Sequence, residues 1–166
     1  MSTIAFISYA RVKDFYNAVT NFHTALEKSL QECLNMEVQI FLDKTSIEAG
    51  ESFNDVLKQQ LHEATVLIIL LSPVWLSRPM CRAEYLYFKS LENSGDRKRY
   101  IIPLLWREVD ISDAYDEESK TILNDLSPIE KIDWKRLKFN KDYTNSIDLE
   151  VAIEGLADTI KRKIRS

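Results

Sequence analysis

The chain predicts a three-layer α/β sandwich, one mainly parallel sheet of about five strands with helices on both faces. Three observations predict it. Strand-like and helix-like segments alternate about five times from one end to the other. The run Val66 to Leu71 (VLIILL) holds no polar residue and no period-2 alternation, which fits a strand buried on both faces at the centre of a parallel sheet. Helical spacing then returns, with Cys81, Glu84, Tyr85, Phe88 and Leu91 on one face and Arg82 and Lys89 on the opposite one.

Each element has its own signal. Thr3 to Ser8 is a short β-rich run, and Tyr9-Ala10-Arg11 turns away from it. Asp14 can cap a helix whose apolar residues Phe15, Val19, Phe22, Leu26, Leu30 and Cys33 keep a helical period to Leu34. Asn35 breaks the pattern, and Val38 to Leu42 gives a second strand ended by Asp43. From Asp43 to Glu51 the chain is polar, aperiodic and carries Gly50, so it reads as a loop. Ser52 with Asp55 resembles a capping box, opening a helix through Phe53, Val56, Leu57, Gln60 and Leu61.

After the central strand, Ser72-Pro73 makes a turn, and a helix capped by Ser77 or Arg78 is expected from there to Leu91, with Pro79 in its first turn. A charged turn, Asn93 to Arg99, leads to a fourth strand, Tyr100 to Trp106. Pro103 inside that strand removes a backbone donor and predicts a place near the sheet edge or a bulge. The acidic stretch from Arg107 to Pro128 allows a short helix around Glu117 to Leu126, and Ile129 to Trp134 a short fifth strand. Asn145 or Ser146 caps the last helix. Leu149, Ile153, Leu156, Ile160 and Ile164 form its buried stripe, and Lys161, Arg162, Lys163 and Arg165 complement the negative end of its dipole.

Length and composition narrow the function. The 166 residues are expected to form a single domain, 1–166, with an ordinary soluble composition of 45% hydrophobic and 29% charged residues. A net charge of −4 gives no electrostatic footprint for nucleic acid. Two distant cysteines, Cys33 and Cys81, make no disulfide framework and suggest a reducing compartment. No apolar run reaches membrane-helix length and no signal peptide precedes the first strand, so a cytoplasmic protein without a membrane partner is expected.

With the flavodoxin-like strand order 2-1-3-4-5, the functional crevice lies where strands 1 and 3 diverge, at their carboxyl ends. Those ends are Ser8-Tyr9-Ala10 and Ser72-Pro73, with the loop from Asp43 alongside. Glu84 starts the helix that leaves this crevice. It is a carboxylate in an apolar stripe, and its helical neighbours Met80, Cys81, Tyr87 and Phe88 include no cation. It either lies at the stripe's edge, pairs with a base from another element, or has a functional role.

Several chemistries are excluded or demoted. Only three glycines, Gly50, Gly95 and Gly155, leave neither a phosphate-binding P-loop nor a dinucleotide fingerprint. His23 and His62 fall on different helices without ligand spacing, so no metal site is expected. Ser8 and Ser72 lack a nucleophile elbow and an evident histidine base. Cys81 reads as a small buried apolar residue, and Trp75 as packing. Strand 1 ends in Ser-Tyr-Ala, without the acidic cluster of a phosphoacceptor.

Three stretches resemble a known family. AFISYA at strand 1, FLDKTSIEAGESF after strand 2 and LLSPVWLSRPMCRAE at the helix look like a TIR (Toll/interleukin-1 receptor) domain of bacterial type, and the likeness fills the chain. It implies the flavodoxin-like sheet. It identifies the Asp43 to Glu51 segment with the BB loop, so Lys44, Thr45, Ser46, Glu48, Ala49, Gly50 and Glu51 would take part in self-association with other TIR domains. Many members cleave NAD with one glutamate on the helix after strand 3, a position that Glu84 matches.

NAD would then be substrate rather than cofactor, consumed in immune defence or signalling. Phe6, Ser8, Arg11, Asp43, Ile47, Ser72, Trp75 and Met80 would line its site, with packing or loop structure the competing role for each. Met80 stands where many bacterial relatives carry tryptophan, and would hold a ring more loosely. The resemblance equally allows a module that only assembles with other TIR domains.

Overall fold

Alternation along two central strands decides where every helix packs. The computed structural model describes residues 2–12, 17–43, 53–139 and 147–166. Its sheet has five strands, β1 (Thr3–Ser8), β2 (Gln39–Leu42), β3 (Val66–Leu71), β4 (Tyr100–Leu105) and β5 (Ile132–Asp133), in the order β2-β1-β3-β4-β5 with all neighbours parallel. Among the described residues the α-helices are α1 (Ala18–Leu34), α2 (Asp55–Glu63), α3 (Pro73–Ser77), α4 (Pro79–Ser94), α5 (Glu117–Leu126) and α6 (Ile147–Ile164).

Ala5, Ile7, Val66, Ile68 and Leu70 face one core with Phe22, Leu26 and Leu30 of α1 and Leu149, Leu156 and Ile160 of α6. Phe6, Leu67, Ile69 and Leu71 face the other, with Leu57 and Leu61 of α2, Cys81, Tyr85 and Phe88 of α4, and Ile122 and Leu126 of α5. All six β3 side chains are buried, each contributing about 1.5–3 kcal/mol. The apolar run with no polar face is therefore the strand that both helix layers share.

The elements differ from expectation in definite ways. The residues after β3 are not a turn: Ser72 accepts from the Trp75 amide at 3.1 Å and caps the five-residue α3, with Pro73 in its first turn. Helix α4 continues past Leu91 to Ser94 and stops where Gly95 takes φ 73°. Arg82 is not on a solvated face but 7% exposed, because α5 lies there and Asp116 takes its guanidinium at 2.7 Å. Asn54 caps α2, accepting from the Leu57 amide at 3.0 Å, and Val56 is 61% exposed instead of buried. β2 begins at Gln39 and β5 shrinks to Ile132–Asp133. The expected caps Asp14, Ser52, Asn145 and Ser146 lie outside the described residues.

Pro103 sits without strain in a strand that has a neighbour on each side. The Tyr100 and Trp106 amides bond Thr65 and Leu71 of the β3 segment at 2.9 Å, while the Leu105 carbonyl accepts from Trp134 at 3.0 Å. Even-numbered residues of β4 thus serve β3 and odd-numbered ones face outward. Pro103 is outward, and β5 pairs only with Leu104 and Leu105, so the missing N–H breaks no ladder bond.

Candidate active site

The carboxyl ends of β1 and β2 and the starts of α3 and α4 converge on Glu84. Its side chain is wholly buried, yet two groups from the end of β1, more than 70 residues away in sequence, hold it. The Ser8 hydroxyl donates to Oε1 at 2.7 Å and itself accepts the indole N–H of Trp75 at 3.0 Å. Arg11 donates to Oε2 at 3.2 Å through Nη2, the same nitrogen that meets Asp43 Oδ2 at 2.9 Å. The Tyr9 hydroxyl donates to the Asp43 carbonyl at 2.5 Å, tying the end of β2 to the turn after β1.

Geometry explains why these residues meet. Ser8 is two residues past Phe6 on the same face of β1, directed at α4, and Ser72 caps α3 so that Trp75 turns inward beneath it. Arg11 is 5% exposed and lies over the Tyr9 ring, its carbon 5.3 Å from the centroid. Cys81, one helical turn before Glu84, donates its thiol to the Tyr9 carbonyl at 3.4 Å.

Burial is the largest influence on the carboxyl and pushes it up to about 7, against the opposing pull of Arg11 and the Ser8 and Arg11 hydrogen bonds. Burial acts on Arg11 in the opposite sense to its two carboxylates, which outweigh it and raise the guanidinium further. Its Nε is buried with no hydrogen-bond partner among the described residues.

The expected site residues divide. Ser8, Arg11, Asp43 and Trp75 gather at Glu84. Phe6 is in the core, stacked on Phe41 at 5.1 Å. Ser72 acts through the cap on α3, and Met80 packs half-buried against the core. Ile47 and the segment from Lys44 to Glu51 lie outside the described residues. Tyr9, placed by the sequence at the crevice end of strand 1 but not among the site residues, joins them through its bond to Asp43.

Comparison with known families is decisive: residues 5–148 match the model of the TIR domain. The chain belongs to the TIR-domain family. Among solved structures it is similar to the TIR domains of the activated Roq1 resistosome, at 15% identity over 96% of this chain and 99% of that one, with a TM-score of 0.64. It is also similar to the TIR domain of the Toll-related receptor TRR-2 from Hydra magnipapillata, at 16% identity over 95% of this chain and 97% of that one, with a TM-score of 0.55. At such identity the likeness shows the shared fold. No curated protein matches the chain.

This TIR domain also has a cavity of about 350 Å³ at the carboxyl ends of β1, β3 and β4. Ser72 and Tyr9 line it, but Ser8, Arg11, Trp75 and Glu84 do not. No described helix is long and apolar enough to cross a membrane.

Proposed function

We propose that this TIR domain cleaves NAD at the bond between nicotinamide and ribose, with Glu84 as the catalytic carboxylate. The observation that carries the reading is the cage: a carboxylate with no exposed surface, held at both oxygens by Ser8 and Arg11 at the crevice end of the sheet. A chain gains little stability from an ion pair in such a place, since desolvation offsets the attraction. A site that must present negative charge to a reacting centre has reason to keep one.

The bond breaks with its electron pair going to the nicotinamide nitrogen, which is cationic beforehand and leaves neutral. Positive charge develops at the ribose anomeric carbon, as in glycoside cleavage. Ionised Glu84 stabilises that charge in a water-poor environment. Water then adds at the same carbon and releases a proton, giving ADP-ribose; attack by the substrate's own adenine gives a cyclic isomer instead. No strong general acid is required. Trp75 holds Ser8, and Ser8 holds Oε1, so the carboxylate keeps its direction when Arg11 withdraws to admit the ribose. Self-association of TIR domains, through the segment from Lys44 to Glu51, completes the site in this reading, which places the chain in immune defence or signalling.

The second reading is a non-catalytic assembly module, favoured by the closure of the cage: Arg11 bridges Glu84 and Asp43, and Glu84 is not among the residues that line the 350 Å³ cavity. Nicotinamide release from NAD by the assembled protein, beside Glu84→Gln, separates the two. Release by the parent and a loss of roughly a hundredfold or more in the variant supports the enzyme. Equal rates, or no release from assembled protein, support the module.

A further inference from the structure

The cavity on the other side of the β1 turn has features of its own. Its volume, about 350 Å³, lies within the range of small-molecule sites, and it sits where the order of the sheet reverses between β1 and β3. Two cations reach it, Arg107 and Lys138, and no carboxylate is among its described lining residues. The Lys138 ammonium donates to the Trp106 carbonyl and stands 5.9 Å from the Trp106 ring centroid and 5.0 Å from that of Phe139. One positive charge therefore has two aromatic rings beside it.

Part of the apolar lining is exposed. Phe139 is 62% exposed, Val12 44% and Val74 37%. Exposed apolar side chains gathered at a concave site mark a surface that something covers. Burial, and then the neighbouring Arg107, holds Lys138 below the usual lysine range. An anion between the two would relieve that repulsion.

We propose that this cavity binds a nucleoside phosphate, its base against Trp106 and Phe139 and its phosphate at Lys138 and Arg107. A fatty acid would satisfy the apolar wall and one cation but has no use for ring faces or a second cation. A planar base uses the rings by stacking, and a phosphate uses both cations. The site stands apart from the Glu84 cage, with the Tyr9-Ala10 turn between them, and its occupancy does not depend on what Glu84 does.

Calorimetric titration with AMP tests it, with adenosine and decanoate as controls. AMP is expected to bind, adenosine to bind about tenfold more weakly for want of its phosphate, and Arg107→Ala and Phe139→Ala each to weaken AMP by about tenfold. Both variants alter exposed side chains and leave the cores intact. No binding of AMP at millimolar concentration, equal affinity for adenosine, full affinity in both variants, or binding of decanoate in place of AMP overturns the proposal. Nicotinamide release from NAD, measured on the same preparation, separates this site from the catalytic reading. AMP binding without release keeps the cavity proposal and removes NAD cleavage; release without AMP binding does the reverse.

Discussion

Replacing Glu84 by glutamine should change the pH dependence of stability in a direction that reports which force governs the cage. The folded carboxyl is raised from 4.5 to about 7, so between these values the folded state binds a proton that the unfolded state has lost. Glu84 therefore contributes stability that is fully present below about pH 4.5 and disappears as pH rises through about 7. Integrating between pH 5 and pH 8 gives a loss of roughly 2 to 3 kcal/mol in the parent. The group has no solvent exposure, so bulk water does not screen it.

Glutamine cannot titrate, so the difference between variant and parent isolates this one group while all others cancel. Urea unfolding of both proteins at the two pH values should show the variant gaining roughly 2 to 3 kcal/mol on the parent from pH 5 to pH 8. In thermal melts the same gain is roughly 5 to 10 °C. A difference that is flat, or that moves in the parent's favour as pH rises, would mean that Arg11 outweighs burial and that the carboxylate is the resting form. Desolvation would then not govern the Glu84 carboxyl.

Four further outcomes follow from the geometry. Arg11→Met leaves Glu84 and Asp43 buried without their shared cation and should cost roughly 3 kcal/mol at pH 8 and less at pH 5, measured by urea unfolding. Trp75→Phe removes the donor that orients Ser8 and some buried volume; a stability loss of about 2 kcal/mol should accompany a drop in nicotinamide release. If ionised Glu84 does the chemistry, kcat/KM for NAD should rise with pH through about 7 in the parent, and a profile falling over that range would contradict its role. Gly95→Ala should cost about 1 kcal/mol from backbone strain alone, since φ is 73° and nothing lies within 4 Å of the added methyl group.

The layers were legible in the sequence because they rest on local periodicity. Val66 to Leu71 has only one sensible reading, and the spacing of Cys81, Glu84, Tyr85 and Phe88 put each of them on the buried face where the structure has them. The short helix from Pro73 was hidden because five residues are too few to show a period, and a serine followed by proline signals a turn as readily as a helix cap. Arg82 was misplaced for a different reason. Its own helix puts it opposite the core, and only the return of the chain at Asp116 covers it. The Glu84 cage has the same character: its cation comes from 73 residues away, and helix spacing can show that a local partner is missing but not where the distant one lies. Trp106, Arg107, Lys138 and Phe139 had no motif to join them, since only the end of the sheet brings them together.

Pro103 has a consequence for how copies of this chain meet. Among the described residues the outer edge of β4 is paired only at its last two residues, and an exposed strand edge invites a strand from another molecule. The proline removes a donor from that edge, so an incoming strand finds an interrupted row. At high protein concentration this edge should therefore resist growth into amyloid-like ribbons. Pro103→Ala should accordingly leave the fold intact while promoting thioflavin-positive aggregation on prolonged incubation.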